Sequence, residues 1–151
     1  MRVVVKRVSK AEVFVEGASA GSIGKGLVIL LGVDREDNEE DLHWMSKKIP
    51  QLRVFEDTEG KMNLNIRDVK GELAVISQFT LFGNVRKGTR PSFNKSANPE
   101  KAIPFYEAFV KAMEVELGKP VVTGQFGAMM AVDLVSDGPV TLVIDSKNKR
   151  F

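Results

Sequence analysis

Val3 and Val5, then Ala11, Val13 and Val15, alternate with polar neighbours on either side of Ser9-Lys10, and this period of two predicts two short strands joined by a tight turn. Gly17, Gly21, Gly24 and Gly26 punctuate the next stretch. Leu27-Val28-Ile29-Leu30-Leu31 then reads as a short strand buried on both faces. Asp37 or Asn38 can cap a helix whose first turn holds Glu39, Glu40 and Asp41, with Leu42, Met45 and Ile49 on one face and Pro50 as its stop. Leu52 to Phe55, the alternating Met62, Leu64 and Ile66, and Glu72 to Phe79 follow as strands, with a turn from Asp57 to Gly60. Asn98-Pro99-Glu100 opens a second helix in which Tyr106, Phe109, Val110, Met113 and Leu117 recur at helical spacing before Gly118 and Pro120. Pro104 either kinks its first turn or marks its true start. Val121-Val122, Ala128 to Val135 and Val140 to Ile144 are again strand-like. The expected class is α+β: a mainly antiparallel sheet or open β-barrel-like roll with two or three helices.

At 151 residues, 43% hydrophobic and 28% charged, the chain has the make-up of a folding protein, and a single domain spanning 1–151 is expected. A domain of that size buries roughly 68–70% of the surface its unfolded chain exposes, which needs no staples. Cysteine is absent, which excludes disulfides, thiolate nucleophiles, zinc ribbons and iron–sulfur sites. One histidine, His43, leaves little for metal binding, so no metal or cofactor is expected. The opening Met1-Arg2-Val3-Val4-Val5-Lys6-Arg7 has too short an apolar run for a secretory signal, and Leu27 to Leu31 is far short of a membrane span. A cytoplasmic protein with no membrane partner is the expectation. The 22 Lys and Arg residues against 20 acids permit nucleic-acid binding without demanding it.

Several segments invite a chemical reading. Gly21-Ser22-Ile23-Gly24-Lys25-Gly26 lacks the glycine a phosphate loop needs at Ser19 and the hydroxyl it needs at Gly26, so it reads as an inter-strand turn. The acidic run Asp34 to Asp41 lacks the spacing of a calcium loop and reads as helix capping. His43 has no partner at a catalytic spacing and reads as structural or surface. A hydrolase without a histidine base is restricted to acyl groups that are already reactive, where positioned water and fixed donors suffice. Ser77-Gln78-Phe79-Thr80 sets two hydroxyls, an amide and an aromatic ring at the end of an apolar strand, either as ordinary solvent-facing residues or as ligand groups. The adjoining loop from Gly83 to Asn98 interleaves Arg86, Lys87, Arg90 and Lys95 with Gly88 and Phe93, which suits a phosphate backbone with an unstacked base and equally suits a solvated loop. Ser136-Asp137-Gly138-Pro139-Val140-Thr141 reads as a hairpin turn.

Taken together, Arg7-Val8-Ser9-Lys10, Gly21 to Leu27, Ser77-Gln78-Phe79-Thr80-Leu81, Arg90-Pro91-Ser92-Phe93, Thr123 to Ala128 and Gly138-Pro139-Val140-Thr141 resemble the D-aminoacyl-tRNA deacylases, historically the D-tyrosyl-tRNA deacylases. The resemblance implies hydrolysis of the ester joining a D-amino acid, or glycine, to the 3′-end of tRNA, with L-aminoacyl-tRNA spared. It also implies a homodimer in which Gly138-Pro139, as a cis peptide, enters the partner's site beside Ser77 to Thr80. Main-chain carbonyls there would collide with an L side chain while accepting the substrate amine, a selection by exclusion. On the same basis Phe79 stacks on the terminal adenine, and Gln78 and the N–H groups near Thr80 orient the ester and its oxyanion. Thr80 is a positioning residue in preference to a nucleophile, with water attack assisted by the ribose hydroxyl. Met129 lines the pocket or belongs to the core, and Arg86, Lys87 and Arg90 of the basic loop are candidate substrate-binding residues on their charge pattern. Ser136 stands where such chains carry asparagine, which offers more hydrogen bonds. Aminoacyl-tRNA and a second subunit are the expected partners, and DNA is not. Two rivals remain: a non-catalytic RNA-binding module using the Arg86 to Lys95 loop and the Lys147 to Arg150 tail, and an esterase for small activated acyl groups.

Overall fold

A computed structural model describes residues 1–150. Eight strands and two helices follow the chain as β1 (Arg2–Val15), β2 (Ala18–Ile23), β3 (Gly26–Gly32), α1 (Glu39–Lys48), β4 (Phe55–Glu56), β5 (Met62–Leu64), β6 (Glu72–Ser77), α2 (Pro99–Leu117), β7 (Val122–Thr123) and β8 (Met130–Asp145). Single 3-10 turns cover Ile49–Gln51 and Phe79–Phe82.

The hairpin expected at Ser9-Lys10 does not form, because β1 runs through it. One edge of β1 is shared by two strands, β3 along Arg2 to Val8 and β2 along Ala11 to Val15. Ser9-Lys10 falls at the handover, where neither strand covers it, and both residues are exposed. β8 lies along the opposite edge from Arg2↔Asp145 to Val15↔Met130, and its register slips at the same place. The Ser136 to Thr141 hairpin is likewise corrected: β8 passes through it as a bulge. From Lys6↔Thr141 to Val8↔Ser136, β1 advances two residues and β8 five, so the segment between is thrown out of the ladder.

Beyond β3 the sheet continues in parallel through β6 and β7, while the pairings of β1 are all antiparallel. Val122 of β7 packs in one small cluster with Ile23 of β2 and Val132 of β8, so the sheet curls into a nearly closed roll. An α+β roll with two helices and mainly antiparallel pairing is what the hydrophobic pattern predicts. β3 feeds two cores. Leu27, Ile29 and Leu31 join Met45 of α1 and Tyr106, Phe109 and Met113 of α2 on one side, while Val28 meets Val8, Ala11 and Ala74 on the other. That double burial explains its unbroken apolar run.

The strand expected at Leu52 to Phe55 contracts to Phe55–Glu56, since the turn over Ile49–Gln51 takes up the chain before it. Met62 is exposed on the β4–β5 ribbon and Ile66 is buried beyond its end, so their alternation does not mark one strand face. Asn38 caps α1 with a reciprocal capping box to Asp41. Asn98 caps α2, and Gly118 closes it in the left-handed conformation. Pro104 lies inside α2 and does not open it.

The Met1 ammonium is buried against Asp37 and Ser146, and Lys147 bridges to Asp41 at 2.6 Å. Burial works against ionisation of Asp41, but hydrogen bonds from Lys147, Ser146 and the Asn38 backbone prevail and bring its pKa down to about 2. A carboxyl lowered on folding stabilises the protein above its ordinary pKa and loses that contribution as pH falls towards the folded value. Burial pushes Asp37 the other way, so acid relieves part of its cost. Denaturant titrations from pH 5 to pH 2 are expected to show stability falling below pH 4, with Asp41→Asn removing on the order of 2 kcal/mol of that fall.

Candidate active site

β3 and β6 run parallel and end together, with Leu31 opposite Ser77. The Gln78 N–H continues their ladder to the Leu31 carbonyl at 2.7 Å, after which the chain tightens into the 3-10 turn Phe79–Phe82. Two features fix that turn. Arg2 donates Nη1 to the Leu81 carbonyl at 2.8 Å, lies 4.9 Å over the Phe82 ring, and is itself held by Asp145 at 2.8 Å. Gly32 permits close approach: a Cβ there would stand 3.0 Å from both the Gln78 carbonyl and the Phe82 ring.

A pocket of about 350 Å³ opens at these strand ends. Leu31, Val33, Ile76, Ala102 and Phe126 line it, Ser77 and Gln78 supply polar groups, and Phe79 and Met129, 55% and 83% exposed, form part of its rim. Gln78 Nε2 donates to Thr80 Oγ1, which leaves the Thr80 proton free to donate elsewhere. The 3-10 turn has no side-chain cap over its first N–H groups. Phe79 meets Phe93 edge to face, with ring centroids 5.1 Å apart. Of the residues singled out from sequence, Ser77, Gln78, Phe79 and Met129 are therefore brought together, and Thr80 is coupled to them through Gln78.

The others do not line this pocket within one chain. Gly138 and Pro139 lie in the β8 bulge, their peptide is cis, and Gly138 has φ +119. The bulge is held by Arg7, which is only 4% exposed. Arg7 Nε donates to the Asp137 carbonyl at 3.2 Å and faces its carboxylate at 3.3 Å, and Nη1 donates to the Val54 carbonyl at 2.7 Å. These hydrogen bonds come from Arg7 and not from Ser136. Arg86 and Lys87 line a separate concavity with Asn84 and Ser92, and Arg90 is exposed on the same loop.

The pocket's chemistry is set by what its lining contains. Among the described residues no Asp, Glu, His, Lys or Arg lines it. Tyr106 is the one titratable group in the lining, and burial pushes its pKa up to about 12 while its hydroxyl donates to the Val75 carbonyl at 2.7 Å. His43 is exposed on α1 and is absent from the lining. Such a site binds, orients and donates hydrogen bonds, but holds no base near neutral pH. Chemistry performed in this pocket is accordingly expected to show no inflection from a protein group near neutral pH, and His43→Ala to leave the pH profile of kcat/KM unchanged.

Arg7, Arg2, Tyr106 and the Phe126 to Ala128 segment were not singled out as functional from sequence. Arg7 carried a signal: it falls on the inward phase set by Val3 and Val5, where a charge is rarely buried without a fixed role. Arg2 and Tyr106 carried none, since their contacts depend on chain crossings that only the fold reveals.

Comparison with known proteins finds relatives over nearly the whole chain. The family described as D-Tyr-tRNA(Tyr) deacylase matches residues 4–145. Relatives named D-aminoacyl-tRNA deacylase from Flavobacterium psychrophilum and Bacteroides thetaiotaomicron are 53% and 52% identical over 149 residues, covering 99% of each chain. A solved structure named c-Myc DNA Unwinding Element Binding Protein superposes with TM-score 0.88 at 39% identity, covering 96% of this chain and 98% of its own. A second, described as a probable eukaryotic D-amino acid tRNA deacylase, has TM-score 0.80 at 18% identity over 95% and 98% of the two chains, and shows the shared fold. With its sequence matched almost end to end, this chain belongs to the D-Tyr-tRNA(Tyr) deacylase family.

Proposed function

We propose that this protein, as one domain over residues 1–151, is a cytoplasmic D-aminoacyl-tRNA deacylase that hydrolyses the ester between a D-amino acid, or glycine, and the 3′-end of tRNA and spares the L-aminoacyl ester. The observation that carries the reading is the pocket itself: apolar walls, neutral hydrogen-bonding groups at Ser77 and Gln78, and, among the described residues, no group that acts as a base near neutral pH. An aminoacyl ester is activated enough for such a site. Water adds to the ester carbonyl, and Gln78, Thr80 and the N–H groups that open the 3-10 turn steady the oxyanion. The bond to the ribose 3′-oxygen then breaks, and that oxygen takes a proton with the neighbouring 2′-hydroxyl as relay. The products are the amino-acid carboxylate, a released proton and tRNA with a free 3′-hydroxyl. Phe79, exposed at the rim, stacks on the terminal adenine.

Selection by handedness rests on a second subunit. Among the described residues β8 pairs only with β1, which leaves its other edge free, and every residue from Met130 to Ile144 keeps some exposure, including Val135 and Val143. A long apolar edge of this kind needs covering. In the proposed homodimer the Gly138-Pro139 bulge of one subunit enters the pocket of the other. Its carbonyls then accept the substrate amine and exclude an L side chain.

Purified protein is expected to release D-amino acids from tRNA and to leave the L counterpart intact; equal or absent release of both would overturn the reading. Turnover also separates it from a non-catalytic RNA-binding module built on the Arg86 to Lys95 loop and the Lys147 to Arg150 tail. Thr80→Ala is expected to slow release between about tenfold and a few hundredfold. A loss beyond about a thousandfold, ~4 kcal/mol, would make Thr80 the nucleophile.

A further inference from the structure

The loop between the 3-10 turn and α2 carries positive charge that is wholly exposed, unlike the acid-free stretch from Met1 to Ala11, where Arg7 is buried. From Gly83 to Asn98 there is no acid, while Arg86, Lys87, Arg90 and Lys95 are all present and all exposed. None of these four forms an ion pair among the described residues, whereas Arg2, Arg7, Lys47, Arg67 and Lys147 each face a carboxylate. Four like charges crowded on one loop repel, and an anion that binds among them relieves that repulsion.

The loop is also shaped in advance. Asn84 and Ser92 exchange both backbone hydrogen bonds, at 2.8 and 2.9 Å, closing a hairpin. Asn84 Oδ1 accepts the Arg86 N–H at 2.9 Å, and Arg35 N–H donates to the Lys95 carbonyl at 2.9 Å. Asn84, Arg86, Lys87 and Ser92 line a concavity of about 260 Å³. The side chains of Arg86, Lys87, Asn84 and Ser92 around it can between them supply two cationic heads, an amide and a hydroxyl, a set that suits a phosphodiester. Phe93 at the base of the hairpin packs on Phe79 at the rim of the deacylation pocket, so the concavity belongs to a surface continuous with that rim.

We infer that the 84–92 hairpin is a phosphodiester subsite for the single strand that leads into the pocket, with Arg86, Lys87, Asn84 and Ser92 at one phosphate and Arg90 beside it. This rests on the deacylase reading and adds to it a division of labour: the pocket performs the chemistry, and the hairpin captures the backbone without reading its bases. Its contribution therefore appears in KM and grows with the number of phosphates on the substrate.

The test compares wild type with the triple variant R86Q/K87Q/R90Q on D-aminoacyl esters of adenosine, of a CCA trinucleotide and of full-length tRNA. The wild-type-to-variant ratio in kcat/KM is expected to rise at least about tenfold from the adenosine ester to the trinucleotide ester, through KM, and to shrink between 50 and 200 mM salt. A ratio independent of substrate length would overturn the subsite. In parallel, fluorescence anisotropy of an uncharged RNA oligonucleotide ending in CCA is expected to show weaker binding and a shallower salt dependence for the variant; unchanged binding would also overturn it. That arm needs no turnover, so a wild type that binds the oligonucleotide through these residues yet hydrolyses no D-ester would support the subsite and reject the deacylase reading.

Discussion

Gly138→Val is expected to lower kcat/KM for D-aminoacyl-tRNA by at least about a hundredfold, an effect of ~2.7 kcal/mol or more on the transition state. Gly138 sits at φ +119, where an L side chain is strained, and a Cβ there would stand 2.9 Å from Arg7 Nη2 and 3.0 Å from Val140 Cγ2. Either the bulge or the Arg7 guanidinium that holds it must shift to relieve these contacts, and in both cases the bulge carbonyls lose their fixed placement. Because Gly138 is exposed and lies outside both hydrophobic clusters, the cost in stability is expected to stay within about 1–3 kcal/mol. Steady-state kinetics alongside denaturant unfolding separates the two effects. An active variant that keeps its preference for the D-ester would remove the bulge from the mechanism.

The second large effect belongs to Arg7. Its guanidinium is buried between β1, the β8 bulge and the Val54 carbonyl, and approaches Glu56 at 3.8 Å. Arg7→Met keeps much of the stem's packing but strips the hydrogen bonds from the Val54 and Asp137 carbonyls, and is expected to destabilise the fold by about 3 kcal/mol. With the bulge released, discrimination between D- and L-esters should fall together with kcat/KM. Arg7→Lys retains the charge without the planar fork, so only partial recovery is expected. Denaturant midpoints and the D/L ratio measured on the same preparations check both statements. Unfolding within about 0.5 kcal/mol of wild type would show that Arg7 is not the anchor.

Much of the fold was legible because its strands obey simple periods. β3 showed itself as an apolar run, and both helices showed their caps at Asn38, Asn98 and Gly118. The two errors of connection share one cause. Ser9-Lys10 and Ser136 to Thr141 have the local composition of turns, but they occur where long strands change partners or bulge, and local composition cannot distinguish a reversal from an interruption. The pocket was half visible. Ser77 to Thr80 marked themselves as polar groups ending an apolar strand. Its floor, at Tyr106 and Ala102, comes from a helix whose periodicity speaks only of burial, and its support from Arg2 spans 79 residues to Leu81.

Mixing protomers tests the shared pocket most directly. A Gly138→Val chain keeps its own pocket and lacks a working bulge, while a Gln78→Ala chain keeps its bulge and lacks a working pocket. If each site combines both subunits, co-refolding the two impaired variants in equal amounts yields mixed dimers with one intact site each. D-aminoacyl-tRNA hydrolysis should then return to roughly a quarter of the wild-type level, as random pairing of two-fold dimers dictates. Activity no greater than that of the two variants refolded separately would contradict a site built across the subunit boundary.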